Sequence, residues 1–263
     1  MMRLFFLAMF PLVCSSGCAQ KQAKLVDNTA GSSHFNTLSE QFLAKIKNGE
    51  DTKSIQEELA NTTIEKLNES LRTDEQKFAF WVNIYNAYIQ VILAEHPEYY
   101  DDRRDFFSKD QINIAGEVVA FSTIEHGIIR RSQWELGLGY FRKWFTSKLE
   151  RKLRVERRDY RVHFVLNCGA KDCPPVGVLT PKRINEQFEK SSRAFLTKTS
   201  NYDTSSNSVS VTPLFSWFRG DFGGKKGVKN ILAKHNIIPN SKGVAVSYTA
   251  YDWTLDLDNF IDL

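Results

Sequence analysis

Apolar residues first recur at helical intervals, Leu38, Phe42 and Ile46, then Ile55, Leu59, Leu67 and Leu71, and the spacing predicts amphipathic helices that bury one face. The pattern changes at Thr73. Thr73 with Gln76 forms a capping box that opens a further helix, and residues 78–94 contain no charged side chain. At about 100° per residue, Phe78, Phe80, Trp81, Val82, Ile84, Tyr85, Tyr88, Ile89, Val91 and Ile92 take most of the circumference. The remaining sector holds Ala79, Asn83, Asn86, Ala87, Gln90 and Ala94. A solvent face would carry Lys or Glu, so this helix is expected to be central and its amides buried. An unpaired buried amide costs about 1 to 3 kcal/mol, so each should find a hydrogen-bond partner.

Further along, "QINIAGEVVAF" reads as two short strands about an Ala115-Gly116 turn. Ser122 with Glu125 makes another capping box, at the start of a helix in "STIEHGIIRR". Val162, Phe164 and Leu166 alternate with His163 and Val165, which predicts a strand running into the loop "NCGAKDCPPV". A helix opens at Thr180-Pro181, and "NSVSVTPL" and "KGVAVSYTAYDW" are strand-like. Several helices precede the first strand and the alternation is irregular. The expected fold is therefore α+β: a single domain over residues 34–263, with a central buried helix against a small mixed or antiparallel sheet and other helices around it.

Composition narrows the classes. With 42% hydrophobic residues among 263, the chain can bury a substantial core, and a net charge of +4 is too small to mark a nucleic-acid partner. The excess of Lys and Arg over residues 142–161, with Trp144, Phe145 and Leu149 among them, reads as a solvated helix face; contact with anionic lipid headgroups is the other reading. At the N-terminus, Arg3, an apolar run from Leu4 to Val13, and Ser15, Ser16 and Gly17 before Cys18 have the layout of a signal peptide. Its end resembles a bacterial lipobox, which makes Cys18 the expected lipidation site and membrane anchor. Residues 19–33 then form a tether, and Ala19 favours an outer-membrane site facing the periplasm. In such an oxidising compartment Cys168 and Cys173 are expected to form a disulfide.

The residues with chemistry to offer are His126, His163, Glu125 and Cys168, together with Asn83 and Asn86. Histidine transfers protons near neutral pH, and the amides could hold a ligand or fix an imidazole tautomer. These residues are expected to meet in one cleft. The leading reading is a ligand-binding or structural module for an unknown small molecule or envelope component, with no cofactor. A thiol beside histidine would instead suit a hydrolase or acyltransferase, and two histidines with a carboxylate would suit zinc and a metal-dependent hydrolase.

Five stretches, "FWVNIYNAY", "IEHGIIR", "HFVLNCGAKDCPPV", "LFSWFRGDFG" and "YDWTLD", resemble in order and spacing the domain of unknown function family 547, over residues 73–256. The chain is similar to a stand-alone bacterial member of lipoprotein type. The resemblance draws attention to Asn83, Tyr85, Asn86, Glu125, His126, Arg130, His163, Gly169, Pro174, Asp221, Tyr251, Asp252 and Trp253, without implying a reaction. Asp172 stands where the family usually has Ser, so a hydroxyl nucleophile is not expected there.

Overall fold

The computed structural model describes residues 31–263. The expected leader with Cys18, and the expected tether up to residue 30, lie outside the described residues. Three short helices come first, α1 (His34–Lys47), α2 (Lys53–Asn61) and α3 (Ile64–Ser70). The break between the last two falls where the Thr63 hydroxyl accepts from Lys66 N at 3.2 Å and starts a new helix.

Helix α4 (Asp74–Glu95) opens with the expected capping box: Thr73 Oγ1 accepts from Gln76 N at 3.3 Å, and Gln76 Oε1 accepts from Thr73 N at 3.1 Å. It is buried from Lys77 to Gln90. Its two asparagines are fully engaged, and Gln90 is engaged through its oxygen alone. Asn83 donates to Leu179 O at 2.8 Å and accepts from Leu179 N at 2.9 Å. Asn86 does the same with Val165 O at 2.9 Å and Asn167 N at 2.8 Å, and Gln90 accepts from Asp258 N at 2.9 Å. Each asparagine thus acts as a rung of a β-ladder, satisfying backbone groups of irregular chain that no neighbouring strand would pair.

Beyond α5 (Arg103–Ser108), β1 (Ile112–Ile114) and β2 (Glu117–Val119) form a hairpin. Ala115 and Gly116 turn it with φ of +55° and +74°, the left-handed pair of a two-residue hairpin loop. Then follow α6 (Lys148–Leu153), β3 (Val176–Gly177), α7 (Ile184–Thr199), β4 (Asn201–Asp203), β5 (Ser208–Val211), α8 (Leu214–Trp217), α9 (Gly224–Lys234), β6 (Ala245–Tyr248) and β7 (Phe260–Ile261). The β-structure is three small sheets: the hairpin, the parallel pair β3–β7, and a mixed sheet ordered β4–β5–β6. The fold is α+β. Among the described residues no helix is long and apolar enough to cross a membrane.

Two hydrophobic clusters make up the interior, one around α4 and one built from α7, β5, α8 and α9, and Tyr251 packs against both. The expected strand through His163 is not there. Residues Tyr160–Phe164 form a 3₁₀ helix, capped by Asp159, which accepts from Arg161 N at 2.9 Å. Alternation misleads because Val162, His163, Phe164 and Val165 are buried in succession: Phe164 enters the second cluster while Val162 and Val165 enter the first. A segment wedged between two cores has no solvent face to alternate with.

Candidate functional site

The segment after the hairpin folds as a wide helical turn, Thr123–Ile129, in which Arg130 N reaches back five residues to Glu125 O at 2.8 Å. Two left-handed non-glycine residues, Arg131 and Ser132 at φ +56° and +57°, end it. They are held by Ser132 N donating to Gly127 O at 2.8 Å and the Ser132 hydroxyl donating to the buried Glu150 at 3.0 Å. The expected capping box at Ser122 does not form. Ser122 is already helical at φ −60° and ψ −30°, so its side chain has no cap to make. Both Ser122 and Glu125 instead line a cavity of about 260 Å³.

That cavity lies between the two hydrophobic clusters. Tyr85, Phe107, Leu166, Trp217, Phe218 and Trp253 supply much of its wall, and Glu125, His126, His163 and Cys168 all border it. Tyr85 Oη points its hydrogen at Glu125 Oε2 across 3.4 Å. Burial pushes the Glu125 carboxyl up to about 7, with Arg130 and Tyr85 only partly offsetting it. Burial, seconded by the nearby charge of Arg130, holds His126 well below its ordinary value, so its ring is neutral. Arg130 donates to His126 Nδ1 at 2.6 Å. The ring proton therefore sits on Nε2, which has no partner among the described residues.

Behind this pair stands a charge network. Asp221 Oδ2 accepts from Arg130 Nε at 2.7 Å and from His163 Nε2 at 2.9 Å, while Oδ1 accepts from Arg158 at 2.8 Å. Burial alone would raise Asp221, but the hydrogen bond from His163 and the charge of Arg130 hold it at about 2. Burial keeps His163 below its ordinary value despite Asp221, so it too is neutral and donates from Nε2. Phe218 packs the network together: it stacks on His163 at 4.1 Å and 22°, lies 6.5 Å from His126, and takes the Arg130 guanidinium over its face at 4.6 Å.

The two histidines and Glu125 thus come together, but Asn83 and Asn86 do not join them; they brace residues 165–167 and 179 behind the wall. Cys168 borders the cavity with its sulfur bonded to Cys173, and Tyr251 donates to Cys173 Sγ at 3.3 Å. A sulfur in a disulfide offers no thiolate, so the arrangement seen here lacks the nucleophile of a thiol hydrolase. Among the described residues no three His, Cys, Asp or Glu side chains are grouped to hold a metal ion. The residues singled out for their chemistry do not include Tyr85, Arg130 and Asp221, which enter only through the family resemblance and without a role. Their signal was present in "FWVNIYNAY", "IEHGIIR" and "LFSWFRGDFG", but only the fold shows that the three stretches meet.

The molecule is thus an α+β domain with a largely apolar cavity bordered by the carboxyls of Glu125 and Glu135 and by two neutral imidazoles, with a buried arginine–aspartate pair behind them. Residues 69–196 match the model of the family described as "Protein of unknown function, DUF547". The match includes Tyr85, Glu125, His126, Arg130 and His163 and ends before Asp221. No curated protein and no solved structure matches the chain.

Proposed function

We propose that this domain binds a small, largely apolar molecule that ends in a hydrogen-bonding group, and that it does so at the cell envelope, anchored through lipid at Cys18. The observation that carries the reading is the pairing of Glu125 with His126 at the wall of an aromatic cavity. Most buried polar side chains of this fold brace backbone, as Asn83 and Asn86 do. Glu125 and His126 make no bond to backbone through their side chains and line the cavity instead, and polar groups placed so in an apolar pocket fix a ligand's orientation. An imidazole N–H beside a carboxyl near its titration point suits a carbonyl, carboxylate or hydroxyl. The same pair suits proton transfer, since a carboxyl at about 7 can release and recover a proton near neutral pH. The anchor and the periplasmic site rest on the leader and the residues around Cys18.

The test is ligand-observed NMR with a set of aryl and alkyl carboxylic acids and amides, on the wild type and on a Leu166→Trp variant that fills the cavity. Binders are expected that lose their signal with Leu166→Trp and weaken about tenfold with Glu125→Gln, the loss of one hydrogen bond that involves a charged group being worth about 1.5 kcal/mol or more. Binders unaffected by filling the cavity, or none at all, would remove the reading.

A further inference from the structure

The exposed apolar side chains of this domain are not scattered. Of the ten exposed large hydrophobic residues among the described ones, seven fall between Trp134 and Phe145, with Trp144 94% and Phe145 92% exposed. They stand on a fixed scaffold. Gln133 pairs with Arg142, Trp134 N donates to Phe141 O at 2.9 Å, and Lys143 N donates to Ser132 O at 2.8 Å, which closes a hairpin-like loop. Its tip is tied down where Gly220 N donates to Leu138 O at 2.8 Å and Arg158 donates to Gly139 O at 2.9 Å. The display therefore needs little ordering when it meets a partner.

Trp134, Phe141, Trp144 and Phe145 line a shallow groove with Arg142 and Lys143, and beside it lies a basin lined by Arg131, Arg142, Arg157, Arg158, Arg161 and Lys234, with three carboxylates among them. Arg142 lines both, so the two surfaces are continuous. Arg158 and Arg161 are paired with Asp221 and Asp159, but Arg142 and Arg157 have no ion-pair partner among the described residues. Partial burial and the charges of Arg131, Arg158 and Arg154 lower the Arg142 pKa, which reflects this crowding of like charge.

We infer that the loop of residues 133–145 and the adjoining arginine basin form a contact surface for an anionic lipid bilayer, with the aromatic residues entering the headgroup region and the guanidinium groups meeting lipid phosphates. Tryptophan and tyrosine favour that interface because each has an apolar ring and a polar edge. Arginine makes two-pronged hydrogen bonds to phosphate, and uncompensated cations next to exposed aromatics are the complement of such a surface. A protein partner would need an acidic surface directly beside an apolar one, whereas an anionic bilayer offers both everywhere. The inference stands apart from the ligand reading of the cavity.

Both hydrophobic clusters lie within the described residues, so a chain beginning at residue 19 keeps the whole folded domain and lacks the lipid. Its co-sedimentation would be measured with phosphatidylcholine vesicles, with and without about one third phosphatidylglycerol, alongside Trp144→Ser/Phe145→Ser and Arg142→Glu variants. Wild type is expected to bind the anionic vesicles, with a blue shift of tryptophan emission and weakening in added salt; each variant should lose about tenfold or more in partitioning. Melting curves and fragment binding in the cavity should stay at wild-type level, so the two proposals can fail separately. Absence of binding to anionic vesicles, or variants that bind like wild type, would overturn the inference. So would a dimer abolished by the aromatic substitutions while vesicle binding is unchanged, which would make the loop a self-association surface.

Discussion

At Glu125 and His126 a carboxyl oxygen and an imidazole nitrogen lie 3.6 Å apart without forming an ion pair, because burial favours the neutral form of each. The two then act on stability with opposite sign. Between the ordinary carboxyl value of 4.5 and the folded value of about 7, the folded protein holds a proton on Glu125 that the unfolded chain has released. Stability from this group therefore falls as pH rises through that window, by on the order of 3 kcal/mol in all. For His126 the unfolded chain takes up a proton below 6.5 that the buried ring refuses, so its contribution falls as pH drops. The slopes oppose one another below 6.5, and the comparison with Glu125→Gln isolates the carboxyl. In urea melts the variant is expected to gain on wild type progressively from about pH 5 to 8, by up to about 3 kcal/mol. A difference that stays constant over that range would show that Glu125 is already ionised in the fold at the acid end. From sequence, Glu125 has a sufficient explanation as a cap; its other role depends on a cavity assembled by residues as distant as Trp253.

Among the elements, the loop of residues 133–145 meets the segment after α8 at close range. A Cβ added to Gly139, whose φ is +84°, would lie 2.5 Å from Asp221 Oδ1 and 2.7 Å from its backbone nitrogen. Gly139→Ala is therefore expected to push Asp221 from its partners and to cost roughly 1 to 3 kcal/mol, from the left-handed strain and the disturbed ion pair together. Thermal melts would measure the loss, and a shift in the His163 ring resonances would locate it at Asp221. An unchanged spectrum would mean that the loop yields instead. Elements with local causes were legible in the sequence: α4 through its capping box and uncharged body, the β1–β2 hairpin through Ala115-Gly116. The 3₁₀ helix through His163 and the widened turn at Glu125 were not. Their geometry is set by two cores closing on one segment and by Glu150 packing where a Cβ on Gly127 would lie 2.7 Å away.

At the scale of the molecule, the α+β class and the Cys168–Cys173 bridge follow from the order of helical and alternating segments and from two cysteines in one short loop. The division of the interior into two clusters, with the cavity between them, does not. It arises from contacts such as Asp221 with Arg130 and with His163, separated by 91 and 58 residues in the chain. One carboxylate there serves three donors, and this has a consequence for how substitutions combine. Removing Asp221 leaves the fully buried Arg130 guanidinium without its counter-charge, and Asp221→Leu is expected to cost about 3 to 5 kcal/mol. Arg130→Met removes the charge that is stranded, so in the Asp221→Leu background it should act as a partial suppressor. The double variant is expected to be more stable than the sum of the single losses allows, by about 1 to 3 kcal/mol in urea melts. Strict additivity would mean that Arg130 and Asp221 are held independently. Substitutions at this carboxylate and its partners are thus tolerated more readily in pairs than singly, and a change at residue 221 is open to compensation from residue 130, far away in the chain and beside it in the fold.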